Sequence, residues 1–184
     1  MTAQTVPISA SAAPRLDRVA LTEAYDQHAS TVFRLLRRLG VSESAAADAL
    51  QDVFVVAWRR HQEFEGRSSA RTWLCGIALR VARDYRRERD RRLREHGDVD
   101  MPAQGPSPEA QAAQAAALRR LDALLAQMSE PLRECFVLVE VEQLQAPEVA
   151  ELLCVPVNTV YSRVRLARAA VLEQMSAERD GHRG

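Results

Sequence analysis

The sequence predicts an all-α chain of two small helical domains, a bundle and a four-helix domain with a helix-turn-helix, joined by a flexible linker. Three observations carry that prediction. Gly (7) and Pro (8) are scarce in 184 residues, which disfavours a strand-and-turn sandwich or barrel. The 47% hydrophobic fraction is rich in alanine, the best helix former. Apolar residues recur at helical spacing in one segment after another.

Residues 1–18 have no helical period and read as a disordered tail. The first domain spans 19–94. Its first helix runs from about Leu21 to Leu39, with Tyr25, Ala29, Val32, Leu36 and Leu39 on one face and Gly40 placed to end it. Ser42 or Ser44 is positioned to cap the second helix. There Leu50, Val53, Phe54, Ala57 and Trp58 make an i, i+3, i+4, i+7, i+8 stripe, leaving Asp48, Gln51, Asp52 and Arg59 on the opposite, open side. Gly66 breaks the period between His61 and Ala70, and the serines there can cap a third helix. That helix buries Leu74, Ile77, Ala78, Val81 and Tyr85.

From Glu95 to Ala117 the pattern dissolves into a stretch with three prolines, two glycines, four acids and no arginine, an interdomain linker. The second domain, 118–176, starts with a short amphipathic helix carrying Leu118, Leu121, Leu124, Leu125 and Met128. Pro131 opens the next helix, through Leu132, Phe136 and Val139. A helix containing Val149, Ala150, Leu152 and Leu153 starts at Pro147, where Ala146 makes a poor cap. After a break at Cys154–Val157, Asn158 can cap a last helix with Val160, Val164, Ala167, Val171 and Met175 inward. Residues 177–184 form a tail.

The formal charge is zero, but its distribution is uneven. Between Arg80 and Arg94 eight arginines face three acids, and Arg163, Arg165 and Arg168 form a second group. Acids concentrate at Glu43, Asp48 and Asp52 and again from Glu140 to Glu151. Asp84, Glu88 and Asp90 could pair the arginines along a solvated helix face. On charge alone that reading and a nucleic-acid surface stand level. All 25 basic residues are arginine, which suits bidentate phosphate contact but also follows from genome base composition.

A short helix, tight turn and longer helix make a helix-turn-helix, whose second helix enters the major groove. Thr159, Tyr161, Ser162, Arg163 and Arg165 would face base edges there, and Arg168 would reach phosphate. By periodicity alone a plain helical hairpin fits equally well. In the first domain, Phe64, Arg67, Ser68 and Ser69 precede Thr72 and Trp73, a mixture suited to an unstacked base and its phosphates. Trp73 reads as core and Phe64 as less constrained, with Arg80, Arg83 and Arg87 downstream on one helical face.

No catalytic set, metal site or cofactor motif is expected. The four histidines lack ligand spacing and no Gly-rich phosphate loop is present. Cys75, Cys135 and Cys154 are widely separated and read as buried small hydrophobes. The longest apolar runs are far below the roughly 18 residues of a membrane span, and the N-terminus lacks the features of a secretory signal, so a cytoplasmic protein is expected.

The run DALQDVFVVAWRR from Asp48, then FEGRSSARTWLCGIAL from Phe64 and DYRR at Asp84, resembles region 2 of extracytoplasmic-function sigma factors. The run EVAELLCVPVNTVYSRVRLAR from Glu148 resembles region 4 of the same family. The resemblance implies a non-catalytic specificity subunit of bacterial RNA polymerase. It implies that Asp48, Gln51, Asp52 and Arg59 dock on the core enzyme. Phe64, Arg67, Ser68, Thr72, Arg80, Arg83 and Arg87 would meet the melted minus-10 element. Asn158, Thr159, Tyr161, Ser162, Arg163, Arg165 and Arg168 would meet the duplex minus-35 element. It further implies a linker running through the core and masking by an anti-sigma factor.

The chain departs from the family's usual residues at Arg80, at the turn position Cys154, and at Asn158, Tyr161 and Leu166. The last two remove about two cations from the recognition helix and predict weaker phosphate attraction. A stand-alone helix-turn-helix regulator and a helical protein-binding adaptor are the competing classes. Neither needs Asp48 and Asp52 on an open helix face.

Overall fold

The computed structural model describes residues 18–96 and 120–181, with side chains over 21–95 and 120–176, and among them every regular element is helical. Most of the expected linker and both expected tails lie outside the described residues, apart from the end of the last helix.

Helix α1 spans Arg18–Arg38 and buries Val32, Leu35 and Leu36, with Leu39 buried in the turn just beyond its end. It ends as the sequence predicts. Gly40 takes φ 96°, its N–H donates to Arg37 O and that of Val41 to Leu36 O, which satisfies two terminal carbonyls. Helix α2, Ala46–Arg60, packs through Ala46, Ala49, Val53 and Ala57. These small side chains form the seam, so the packed face is rotated from the predicted stripe. Trp58, expected in the core, is 42% exposed, and Tyr25 of α1 is exposed too. The N-cap position of α2 is Ala45, and Ser42 and Ser44 just before it share a hydrogen bond of 3.1 Å.

After a 3-10 turn at His61–Glu63 the chain reaches α3, Ala70–His96. Ser69 caps it by accepting from the Thr72 N–H at 3.0 Å. Leu74, Ile77, Ala78 and Val81 are buried as expected, while Tyr85 is half-buried. The buried faces of α1, α2 and α3 belong to one apolar core that continues into the C-terminal helices through residues such as Leu125, Leu138 and Val149.

The C-terminal group contains α4 (120–127), α5 (Glu130–Phe136), α6 (Ala146–Leu153) and α7 (Val157–Gly181). Pro131 sits in the first turn of α5, where its missing N–H costs nothing. The continuation, Val137–Val141, widens into a π-helical turn that no sequence signal announces. Helix α6 starts one residue before Pro147, at Ala146. Its cap is sound, because the Glu148 carboxylate reaches back to the Gln145 N–H at 2.9 Å.

Cys154 ends α6 in the left-handed conformation, φ 55° and ψ 47°. Its side chain is exposed, against expectation, because the turn points it away from the core. Cys75 and Cys135 are buried. Asn158 is inside the first turn of α7 and caps nothing; the first helical bond runs from Thr159 N–H to Pro156 O. Val160, Val164 and Ala167 bury against α5 and α6.

Candidate functional site

The residues singled out by the sequence fall on three surfaces. The first is an open groove of about 630 Å³ between α1 and α2, floored by Phe33, Leu50 and Phe54 and flanked by Tyr25, Val55 and Trp58. Tyr25 and Phe54 meet edge to face at 4.7 Å between ring centroids. Gln51 and Arg59 line the groove, and Asp48 and Asp52 stand exposed on the same helix. Asp52 also accepts a hydrogen bond of 2.7 Å from the Tyr85 hydroxyl of α3. Burial first and that bond second push the Tyr85 hydroxyl up to about 12. An apolar trough with carboxylates beside it suits an amphipathic, cationic helix.

The second surface combines the loop after α2 with α3. Phe64, expected to be unconstrained, is buried against Trp73 at 5.4 Å, which anchors the loop and removes its ring from solvent. Thr72 is buried and donates to the Glu148 carboxylate at 3.1 Å. Arg67 projects into solvent beside Glu65 at 3.0 Å, and Ser68 donates weakly to Ser69 O at 3.5 Å. Arg80 and Arg87 are exposed, with Arg87 3.6 Å from Asp84. Arg83 is turned away from them, its guanidinium donating to both oxygens of Glu134, at 2.9 and 2.6 Å.

Part of the arginine run is paired along the helix as a solvated face would be. Glu88 accepts from Arg91 and Arg92, and those bonds hold its carboxyl at about 2, well below the carboxylate range. Arg91 also reaches Glu95 at 2.9 Å.

The third surface is the outer face of α7. Asn158, Tyr161, Ser162 and Arg165 are exposed on one side, with Tyr161 at 59%. Thr159 and Arg163 are half-buried, and Arg163 reaches back to the Cys135 thiol on α5. Ser162 donates to Thr159 O at 3.0 Å, and Arg168 pairs with Glu140 at 2.7 Å. Short polar groups and one unengaged guanidinium, Arg165, therefore lead the face that a groove would meet.

Sequence reasoning missed three buried charged residues, Arg86, Glu134 and Glu142, at the junction between α3 and the C-terminal helices. Arg86, 5% exposed, donates to Leu39 O and Glu130, and to Glu134 at 2.9 Å. Burial works to raise the Glu134 carboxyl, but Arg83 and Arg86 outweigh it and hold the group below its usual range. Glu142, also buried, pairs with Arg71 at 2.8 Å and Arg38 at 3.7 Å. The available signal was faint: acids placed within the apolar period of α5 and its π turn must bury with partners.

Among the described residues no cluster of ligating side chains could hold a metal ion, and no helix is long and apolar enough to cross a membrane.

Comparison with known proteins follows the same division. Residues 24–92 match the family model for Sigma-70 region 2, and residues 118–171 match that for Sigma-70 region 4. The chain is 29% identical over 158 residues to the RNA polymerase sigma factor NccH of Alcaligenes xylosoxydans xylosoxydans, covering 83% of this chain and 85% of that one. It is 32% identical over 141 residues to the RNA polymerase sigma factor HrpL of Pseudomonas syringae pv. syringae, covering 70% and 72%. The solved structure of CnrH in complex with the cytosolic domain of CnrY superposes with a TM-score of 0.67 at 25% identity, covering 88% and 90%.

Proposed function

The chain belongs to the sigma-70 family, and from that premise we propose how its surfaces divide the work of an extracytoplasmic-function sigma factor. Such a factor directs RNA polymerase to particular promoters, while the core enzyme performs the phosphodiester chemistry. The protein itself is assigned no catalytic step and works in the cytoplasm.

Residues 19–94 are assigned as the domain that binds core polymerase and the minus-10 element, 95–117 as the linker, and 118–176 as the domain that binds the minus-35 element. The α1/α2 groove, with Asp48, Gln51, Asp52 and Arg59, is the docking face for the core enzyme. Arg67, Ser68, Arg80, Arg83 and Arg87 hold the melted minus-10 strand, and Phe64 and Thr72 support the loop and helix start. Asn158, Thr159, Tyr161, Ser162, Arg163 and Arg165 meet the minus-35 duplex, with Arg168 on a phosphate. CnrH is held by the cytosolic domain of CnrY in its solved complex. By analogy an anti-sigma factor is the expected inhibitory partner here.

The observation that carries the assignment is the pairing, in one chain, of the acid-flanked apolar groove on α2 with a helix-turn-helix whose outer face is polar and cationic. A free-standing regulator needs only the second. The test is run-off transcription with purified bacterial core polymerase and fragmented genomic template, with the protein added or omitted. Protein-dependent starts sharing minus-10 and minus-35 sequences are expected. Salt-sensitive duplex binding with no new starts would replace this reading by the free-standing regulator.

A further inference from the structure

Arg168 continues the polar face of α7. It lies within about 60° of Tyr161 and Arg165 on the helical wheel, and about 10 Å along the axis from Tyr161. Its side chain is 61% exposed and donates through Nη2 to Glu140 Oε1 at 2.7 Å. The Nε and Nη1 donors make no hydrogen bond among the described residues. One corner of the guanidinium is therefore held while the rest is free to meet an oxyanion.

The other end of that contact is fixed. Glu140 lies in the π-helical turn Val137–Val141, and its side chain is only 27% exposed. The wide turn is closed by the Glu142 N–H donating to Val137 O at 2.9 Å and the Leu144 N–H to Leu138 O at 3.0 Å. Gln143, just beyond, takes φ 56°, a left-handed conformation uncommon outside glycine, and its amide donates back to Glu140 O. A π turn and a left-handed glutamine are both locally unfavourable, of the kind that persists where geometry serves a site. Exposed ion pairs ordinarily contribute little, because two long side chains must be ordered to make one. Here the turn has already ordered the carboxylate, so the pair has only Arg168 left to fix.

We infer that Glu140 is a positioning residue for the minus-35 contact, aiming Arg168 from a fixed turn at a duplex phosphate. The arginine is then ordered before DNA arrives, and association need not immobilise it. The inference rests on the duplex-binding role proposed for α7 and extends it to the π turn after α5. It also opposes plain electrostatics, in which an acid beside DNA repels the phosphates and its removal tightens binding. The sign of the effect therefore decides between them.

The test uses holoenzyme reconstituted from core polymerase and each full-length variant, titrated onto a duplex promoter fragment recovered by run-off transcription. Glu140→Ala should weaken binding roughly two- to tenfold and lower the salt slope by about 0.9, as one phosphate contact is lost. Glu140→Gln, which keeps an acceptor at the same reach, should recover most of the affinity. In an Arg168→Ala background, Glu140→Ala should change nothing further. Tighter or unchanged binding by Glu140→Ala, no recovery with glutamine, or a loss that persists without Arg168 would each overturn the inference.

A further variant serves if the alanine chain does not fold. Glu140→Asp keeps the charge and shortens the arm by one methylene, so it withdraws the carboxylate from Arg168 without altering the field at the DNA. Binding weakened by at least twofold is expected, and unchanged affinity would overturn the inference as well. Failure of the sigma-factor reading shows elsewhere, as absence of promoter-dependent starts from the wild-type holoenzyme.

Discussion

The Tyr85 hydroxyl donates to Asp52 Oδ2 at 2.7 Å, tying the exposed acid of α2 to the middle of α3. The carboxylate proposed to dock on the core enzyme is thus oriented from behind by the helix proposed to hold nucleic acid.

Tyr85→Phe should cost about 1 kcal/mol or less, since the bond is solvent-accessible. Its pH dependence has a defined sign. The folded-state ionisation is raised from 10.0 to about 12, so the hydroxyl's contribution is complete below pH 10 and lost as pH rises toward 12. Thermal melts of wild type and variant should differ by a constant amount up to pH 10 and converge above it. A gap that widens with pH would contradict the assignment.

Asp52→Arg should abolish core-polymerase binding by placing like charge against a complementary site. Arg80→Ala, which does not touch the lining of the groove, should leave core affinity unchanged and impair promoter opening. Core binding by native gel and opening by permanganate footprinting separate the two. Normal core binding by Asp52→Arg would move the interface elsewhere.

Arg165 carries no ion pair among the described side chains, whereas Arg163 is turned toward Cys135 and Arg168 is paired with Glu140. Arg165→Ala should weaken minus-35 duplex binding and lower the salt slope by about 0.9. Titrations from low to moderate salt check this; an unchanged slope would remove Arg165 from the phosphate contacts.

Cys154 holds φ 55° without the freedom of glycine. Cys154→Gly should relieve about 1 kcal/mol of left-handed strain, raising Tm by about 2–4 °C. Cys154→Val should lower it. Calorimetry on both variants gives the sign, and a destabilised glycine variant would show that the thiol's contact with Glu151 O outweighs the backbone term.

What the sequence made legible is local. The end of α1 at Gly40, the Ser69 cap and the open side of α2 bearing Asp48, Gln51, Asp52 and Arg59 follow from spacing and side-chain chemistry within a few turns. Trp58 and Tyr25 were misplaced because the alanines of α2 carry little weight in a hydrophobic count yet set its closest packing. Phe64 went wrong for another reason: its partner Trp73 lies across a capped turn that no period describes. Arg86 and Glu134 are 48 positions apart, and nothing in either helix alone distinguishes a buried ion pair from two surface charges.

Gly76 and the carboxylates around it also bear on time. Guanidinium against carboxylate joins α3 to the C-terminal helices alongside an apolar core that runs through both, with Leu152 resting on a bare glycine backbone. Separating such surfaces re-wets apolar side chains as well as ions, and collective motions of whole helix groups belong to the class that runs in microseconds to milliseconds.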